Sequence, residues 1–366
     1  MKILHVINHL SMGGAQCLLV ELAPIQQQMG HEVVVLELQA SQDRTLADIL
    51  IASGVMVDSL HSKLSVRNPI NMFRLIKYLR KYDIIHSHLF PANYWVALAK
   101  ILSWSKVPII TTEHSTNNKR RNIPLFKYID TFIYRQYSNV IACSDKALET
   151  FKKRFPIVSS VAIPNGVDVS RFVNAASYSK HDLLGVDEST FIVTMVARFD
   201  YPKRQDTIVE AISKLPTKFH VVFVGGSKED KGLLKIQHLA EEYRVLDRVH
   251  FLYVRSDIPN ILKTSDVVVM SSEYEGLSLS SIEGMASGRP FIATNVNGLR
   301  EVVEGAGELF ECGNADQLVS LLINFFNDRE YYDRIVRDCM NRALKYDIRT
   351  VAAKYQHEYE TLTVHS

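Results

Sequence analysis

Short apolar runs alternate along this chain with segments of helical period, first over residues 2–163 and again over residues 191–294. Strand, helix and strand in that order close a right-handed crossover and so build a parallel sheet. Two such series stand on either side of the punctuated stretch Pro164-Asn165-Gly166-Val167-Asp168, so two α/β domains are predicted. The length agrees, since 366 residues exceed what one core usually serves. The first series has strands at 2–7, 32–38, 83–86, 108–112, 139–143 and 160–163. Its helices fall at 15–29, 69–80, 92–102 and 124–137, with a last one capped by Asp145 and running to 154. The second has strands at 191–197, 220–224, 249–252 and 267–270, and helices at 204–215, 231–243 and 258–263. Helices at 315–327 and 330–345 then cover the sheet, and residues 174–188 read as a linker or a first small helix. The boundary is placed near Ser170, giving domains 1–170 and 171–347.

Composition narrows the class. The chain is 47% hydrophobic and 22% charged, as expected of a globular protein with ordinary cores. Cys17, Cys143, Cys312 and Cys339 lie far apart without metal-ligand spacing and read as reduced thiols. The apolar run in MKILHVINHL is broken by Asn8 and His9, too early for a secretion signal, and no stretch approaches a membrane span. A cytoplasmic protein is the expectation. The net charge of +2 conceals an asymmetry: between Lys63 and Arg135 there are 13 Lys or Arg against 3 Asp or Glu. An acidic partner for the first domain follows, such as an anionic membrane met peripherally at its inner face; solvated helix lysines give the same count. No nucleic-acid partner is expected.

The stretch from Ser271 to Thr294, SSEYEGLSLSSIEGMASGRPFIAT, carries the clearest chemistry. It follows the apolar run 267–270, then places Glu275 and Gly276 in a turn, with Ser278, Ser280 and Ser281 opening a helix that Gly288-Arg289-Pro290 closes. Strand, glycine turn and helix N-terminus bring free backbone N–H groups and the positive helix end to one spot, which suits an anion. The same residues admit a plainer reading: Ser280 and Glu283 have the S-x-x-E spacing of a capping box, and Glu275 fits a solvated loop. Arg198 and Lys203 stand just past the strand 191–197, with Pro202 delaying the helix. Two cations in such a turn suit a diphosphate, the Arg as a fork and the Lys as a point charge. An Arg198–Asp200 pair with Lys203 in water is the alternative.

Three further features are weaker. Gly13-Gly14 follows the first strand without G-x-G-x-x-G, which argues against a nicotinamide enzyme. His86 and His88 share a strand face, but a metal needs a third ligand and none is evident. They read as a hydrogen-bonded pair or as polar lining. His114 follows a strand in TTEHST.

The stretch 271–294 resembles the E-x(7)-E signature of glycosyltransferase family 4, the retaining transferases of the two-domain GT-B fold. It departs from the usual pattern at Ser278, where the family often has Gly or Pro. The R-x(4)-K pair Arg198/Lys203 and the segment Pro164-Asn165-Gly166-Val167-Asp168 resemble family features too. The resemblance implies two Rossmann-like parallel-sheet domains facing across a cleft, the first completed by a C-terminal helix at about 348–366. It implies transfer of a sugar from a nucleotide diphosphate sugar, UDP- or GDP-linked, to an acceptor hydroxyl on a saccharide or lipid-linked saccharide, with retention. Arg198 and Lys203 would hold the diphosphate, Glu275 the sugar and Glu283 the ribose. Gly276, Leu277, Ser278 and Leu279 would line the donor and Arg255 the base, His114 would stand at the sugar, and Gly13 and Gly14 would lie against the donor's sugar and phosphates or near the acceptor, a plain tight turn being the alternative. No D-x-D triplet occurs, so no metal and no other cofactor is expected. The readings from other classes are a non-catalytic nucleotide-sugar-binding subunit of a synthase complex and a dinucleotide oxidoreductase.

Overall fold

The computed structural model describes residues 1–11, 13–60, 65–113, 124–275 and 278–364. The chain divides into two compact units, Met1–Gly166 with Ile348–Ser366, and Val167–Asp347. The divide falls at residue 166, four residues before the expected position, because Val167 already donates to the Tyr346 carbonyl (3.0 Å).

In unit 1 the strands are β1 (Lys2–Ile7), β2 (Glu32–Glu37), β3 (Met56–Ser59), β4 (Ile84–His88), β5 (Ile109–Glu113), β6 (Asn139–Ala142) and β7 (Ser160–Ala162). The helices between them are α1 (Gly14–Gln28), α2 (Thr45–Ala52), α3 (Ile70–Leu75), α4 (Ala92–Ser103), α5 (Pro124–Tyr134) and α6 (Asp145–Arg154). Among the described residues the strands form one parallel sheet in the order β3-β2-β1-β4-β5-β6-β7. The strands alternate cleanly: Leu4, Val6 and Ile85 face one core, while Ile3, Ile7 and Ile84 face the other.

Unit 2 opens with α7 (Val169–Val173) and α8 (Lys180–Leu184), so the polar segment at 174–188 holds a helix of five residues. Its strands are β8 (Phe191–Val196), β9 (Phe219–Val224), β10 (Val249–Phe251), β11 (Val267–Met270), β12 (Phe291–Thr294) and β13 (Glu308–Phe310). They order as β10-β9-β8-β11-β12-β13, all parallel. The helices are α9 (Gln205–Lys214), α10 (Lys231–Glu242), α11 (Ile258–Thr264), α12 (Leu279–Ala286), α13 (Arg300–Val303), α14 (Ala315–Asn327) and α15 (Arg329–Leu344). The last helix, α16 (Ile348–Val364), packs in unit 1 through Ile348, Val351, Tyr355 and Tyr359.

Both sheets reverse direction once, between β1 and β4 and between β8 and β11. Such a switch point splays the two loops that leave the carboxyl ends of adjacent strands, and ligands of open α/β sheets bind there.

Several expectations are corrected. The elements α2, β3, α7, β12, α13 and β13 lie outside the predicted set; β3 and β13 are short and stand at sheet edges, whereas β12 is a fully buried strand between β11 and β13. The helix expected over 69–80 ends at Leu75 and continues as i→i+3 turns to Lys81. Asp145 is not the cap of α6: Ser144 is, its hydroxyl accepting the Ala147 N–H (3.1 Å).

Candidate functional site at the second switch point

Strand β8 runs out into Ala197-Arg198-Phe199-Asp200, then a single 3₁₀ turn, Tyr201–Lys203. Arg204 takes a left-handed backbone (φ 50°) and α9 begins at Gln205. The neighbouring strand β11 runs out into Ser271–Glu275, and α12 begins at Leu279. Ser271 and Glu273 bind these exits to each other. The Ser271 hydroxyl is 2.8 Å from both the Lys203 and Arg204 carbonyls, and the Glu273 N–H donates to the Pro202 carbonyl (2.7 Å).

The result is a contact between Lys203 and Glu275. The ammonium pairs with Glu275 Oε1, both side chains are nearly withdrawn from water (17% and 13% exposed), and the Ser272 hydroxyl donates to the same oxygen (2.9 Å). Thr294 in turn donates to the Ser272 carbonyl. Neither the solvated loop carboxylate nor the solvated lysine is therefore present. Arg198 behaves otherwise: its side chain is 82% exposed and pairs with Asp200 (3.1 Å), while the Gln205 amide holds its carbonyl (2.8 Å). The alternative Arg198–Asp200 pair thus exists, and Arg198 is not brought against Lys203.

Helix α12 begins one turn after Glu275. Its N-cap is Ser278, which makes no side-chain cap bond, and no acid stands in its first turn. Ser280 lies inside the helix, so the capping-box alternative for Ser280 and Glu283 is not formed; Glu283 lies in the second turn. Gly284 lets α12 lie flat on the sheet, because a Cβ there would come within 2.6 Å of the Phe291 ring. Leu279 and Ser278 remain partly exposed beside Glu275. Gly276 and Leu277 lie outside the described residues, as does His114.

Arg255 is committed to a fork with Asp257 (2.8 and 2.5 Å), to which the Tyr178 hydroxyl also donates (2.8 Å). The Arg255 guanidinium holds the Asp257 carboxyl well below the usual carboxylate range. In unit 1, Gly13 caps α1 with an extended backbone (φ −178°), and a Cβ at Gly14 would meet nothing within 4 Å, so neither glycine is demanded by backbone conformation.

Sequence reading missed Ser271, Ser272 and Gln205 as supports, although the serines stand immediately after the strand. It also missed the third histidine. His5 on β1 is in register with His86 on β4, and ring nitrogens of His5, His86 and His88 lie within 4.8 Å of one another. These rings are buried under α1 and α16 and do not line an open surface. Their bonds form a chain: His88 Nε2 with His5 Nδ1 (3.1 Å), His5 Nε2 with Gln26 Oε1 (2.7 Å), the Gln26 amide N–H donating to the Tyr359 hydroxyl (3.1 Å), and that hydroxyl with His86 Nδ1 (2.8 Å). His86 Nε2 then meets Thr112 Oγ1 (2.7 Å). The cluster fixes α16 to the sheet.

Burial pushes His5 down to about 4 from 6.5. The unfolded chain therefore takes up this proton at higher pH than the folded one. Its contribution is complete above pH 6.5 and is lost as pH falls toward 4, by roughly 3 kcal/mol in all. Melting of the protein from neutral pH down to about pH 4.5 should show this fall, flattened in His5→Asn. A flat profile in the parent protein would refute it.

Two doubly wound parallel-sheet units, the first completed by a returning C-terminal helix, define the GT-B class of transferases. Comparison with known proteins agrees. The profile described as Glycosyltransferase Family 4 matches residues 12–171, and that described as Glycosyl transferases group 1 matches residues 179–339. The chain belongs to glycosyltransferase family 4. It is 27% identical over 365 residues to a phosphatidyl-myo-inositol mannosyltransferase of Mycolicibacterium smegmatis, covering 96% of this chain and 91% of that one. It is 28% identical over 296 residues to the UDP-Gal:alpha-D-GlcNAc-diphosphoundecaprenol alpha-1,3-galactosyltransferase of Escherichia coli, covering 76% and 74%. In fold it is similar to the Anabaena HepE protein crystallised with UDP and glucose (TM-score 0.84, 21% identity, 99% and 100% covered). A glycosyltransferase of Rickettsia africae is similar too (TM-score 0.86, 22% identity, 100% and 99% covered).

Proposed function

We propose that this glycosyltransferase moves a sugar from a nucleotide diphosphate sugar to an acceptor hydroxyl, with retention and without a metal ion, in glycan or glycolipid synthesis. The observation that carries the reading is the Lys203–Glu275 pair at the switch point of the second sheet. A cation and a carboxylate held together there match the two charges that develop as a glycosidic bond to phosphate breaks. Negative charge grows on the departing diphosphate, which Lys203, the exposed Arg198 and the N-terminal amides of α12 would stabilise. Positive charge grows at the anomeric carbon, beside which Glu275 would orient the sugar hydroxyls. Glu283 would take the ribose diol, and Arg255 the base. Retention rests on the family, and no carboxylate is assigned as a covalent nucleophile.

The relatives support a lipid-linked acceptor, since one is named for a diphosphoundecaprenol-linked sugar and another for phosphatidyl-myo-inositol. On the donor side, the fold relative was crystallised with UDP and glucose.

Melting measured against UDP, GDP and ADP, with and without EDTA, tests the reading. One diphosphate at a hundred times its Kd should stabilise the protein by about 2.7 kcal/mol, chelator or not. Sugar transfer should likewise survive EDTA. Stabilisation by none of the nucleotides would remove the donor assignment, and rescue of a chelated enzyme by Mg²⁺ or Mn²⁺ would remove metal independence. Binding without turnover would leave a non-catalytic subunit.

A further inference from the structure

Arg204 stands between Lys203 and the first residue of α9, with its backbone in the left-handed region (φ 50°, ψ 44°). Glycine enters that region freely, whereas a side chain there crowds the following carbonyl oxygen. This left-handed step leads the chain from the 3₁₀ turn Tyr201–Lys203 into α9, while the Lys203 side chain returns toward the β11 exit and Glu275. Glycine would make the step more easily, so the reason for an arginine lies in its side chain.

That side chain is partly buried and firmly anchored. Its Nε donates to Asp206 Oδ1 (3.0 Å) and Oδ2 (3.1 Å), and its Nη2 donates to Oδ2 (2.9 Å). Asp206 lies in the first turn of α9, where the helix dipole favours a carboxylate. The guanidinium then lies against the loop that leaves β13, since a Cβ on Gly313 would stand 3.5 Å from Nη2. Its charge also neighbours Glu273, whose Oε2 is buried and takes no hydrogen bond among the described residues. Glu273 is the residue whose N–H holds the Pro202 carbonyl, directly before Lys203. The turn is therefore gripped twice: from the β11 exit through Ser271 and the Glu273 backbone, and from the β13 exit through the Arg204 side chain.

We propose that Arg204 is a positioning residue for the Lys203–Glu275 pair: its guanidinium, forked on Asp206 and laid against the β13 loop, fixes the turn from which Lys203 reaches Glu275. Its effect on donor binding rests on the diphosphate reading above; the positioning of Lys203 does not. Lysine cannot take its place, because an ammonium is a point charge and cannot fork to Asp206 while lying flat beside Gly313.

A double-variant cycle on melting tests the positioning without any ligand. Lys203→Ala should lower the melting temperature of the parent protein and lower it far less in an Arg204→Gly background, where the pair is no longer set. Arg204→Gly keeps a backbone that glycine suits, so the variant should fold. Calorimetric titration with UDP and GDP supplies the second measurement. Arg204→Gly and Arg204→Lys should each weaken the nucleotide that the parent binds by about 10- to 100-fold, the usual cost of a misplaced group. Neither should weaken it further where Lys203 is already alanine. An effect of Lys203→Ala on melting that is equal or absent in both backgrounds would overturn the proposal. So would an Arg204→Lys protein that behaves as the parent does, since a positive charge alone would then suffice. A parent protein that binds neither nucleotide would remove the donor reading and leave the melting cycle to decide the positioning.

Discussion

Lys203→Ala should lose about 10²–10³ in kcat, the usual cost of removing one preorganised charge from a reaction that develops charge. It should also lose about 1–3 kcal/mol of stability, because Glu275 would be left nearly withdrawn from water with, among the described residues, only the Ser272 hydroxyl as a partner. Arg198→Ala separates the two effects. Its side chain is largely in water beside Asp200, so its loss should change stability by less than about 0.5 kcal/mol while turnover still falls. The double variant should be slower than either single one by less than the product of their effects, since on the proposed reading both groups act on one diphosphate. Steady-state kinetics of the three variants beside their melting curves decide the matter. Near-normal kcat in both single variants would remove the clamp. A Lys203→Ala protein that melts like the parent would show that the pair with Glu275 contributes nothing to folding.

Gly225→Ala should cost about 2–4 kcal/mol in unit 2 and weaken nucleotide binding with it. Gly225 has a φ of +132°, and a Cβ there would stand 2.3 Å from the Ala197 carbonyl oxygen. Its N–H is also held by the Tyr253 carbonyl (2.7 Å), so the backbone cannot simply rotate away. The displaced group is the residue before Arg198, and the strain should therefore be transmitted to the turn that sets Arg198 and Lys203. Gly14→Ala is the contrast: nothing lies within 4 Å of its Cβ position and it sits in the first turn of α1, so stability should hold or rise slightly. Denaturation curves and nucleotide titrations of the two variants provide the measurement. Equal stability of both would mean that the close contact at Ala197 relaxes without cost.

Much of this protein is a consequence of short-range pattern. Alternating apolar runs with helical segments oblige parallel sheets, and the order of the elements alone located the turns after 191–197 and 267–270 where Arg198, Lys203 and Glu275 stand, with Glu283 in the helix that follows. The fork between Arg255 and Asp257 was also within reach, being two residues apart. The short strands β3, β12 and β13 escaped, although β7 and β10, as short and also at sheet edges, were found. What no local pattern could supply is which strand ends become neighbours. Lys203 and Glu275 are 72 residues apart and meet only because β8 and β11 adjoin at the reversal of the sheet, with Ser271 and Ser272 binding one exit to the other. His5 joins His86 and His88 for the same reason, across β1 and β4, and Tyr359, which bonds His86, arrives from the far end of the chain on α16. The residue types were set by sequence. Whether a cation stood in water or against a carboxylate, and whether a histidine lined a surface or was sealed beneath a helix, was decided by strand order and by burial, which raises the cost of any polar group left unpaired.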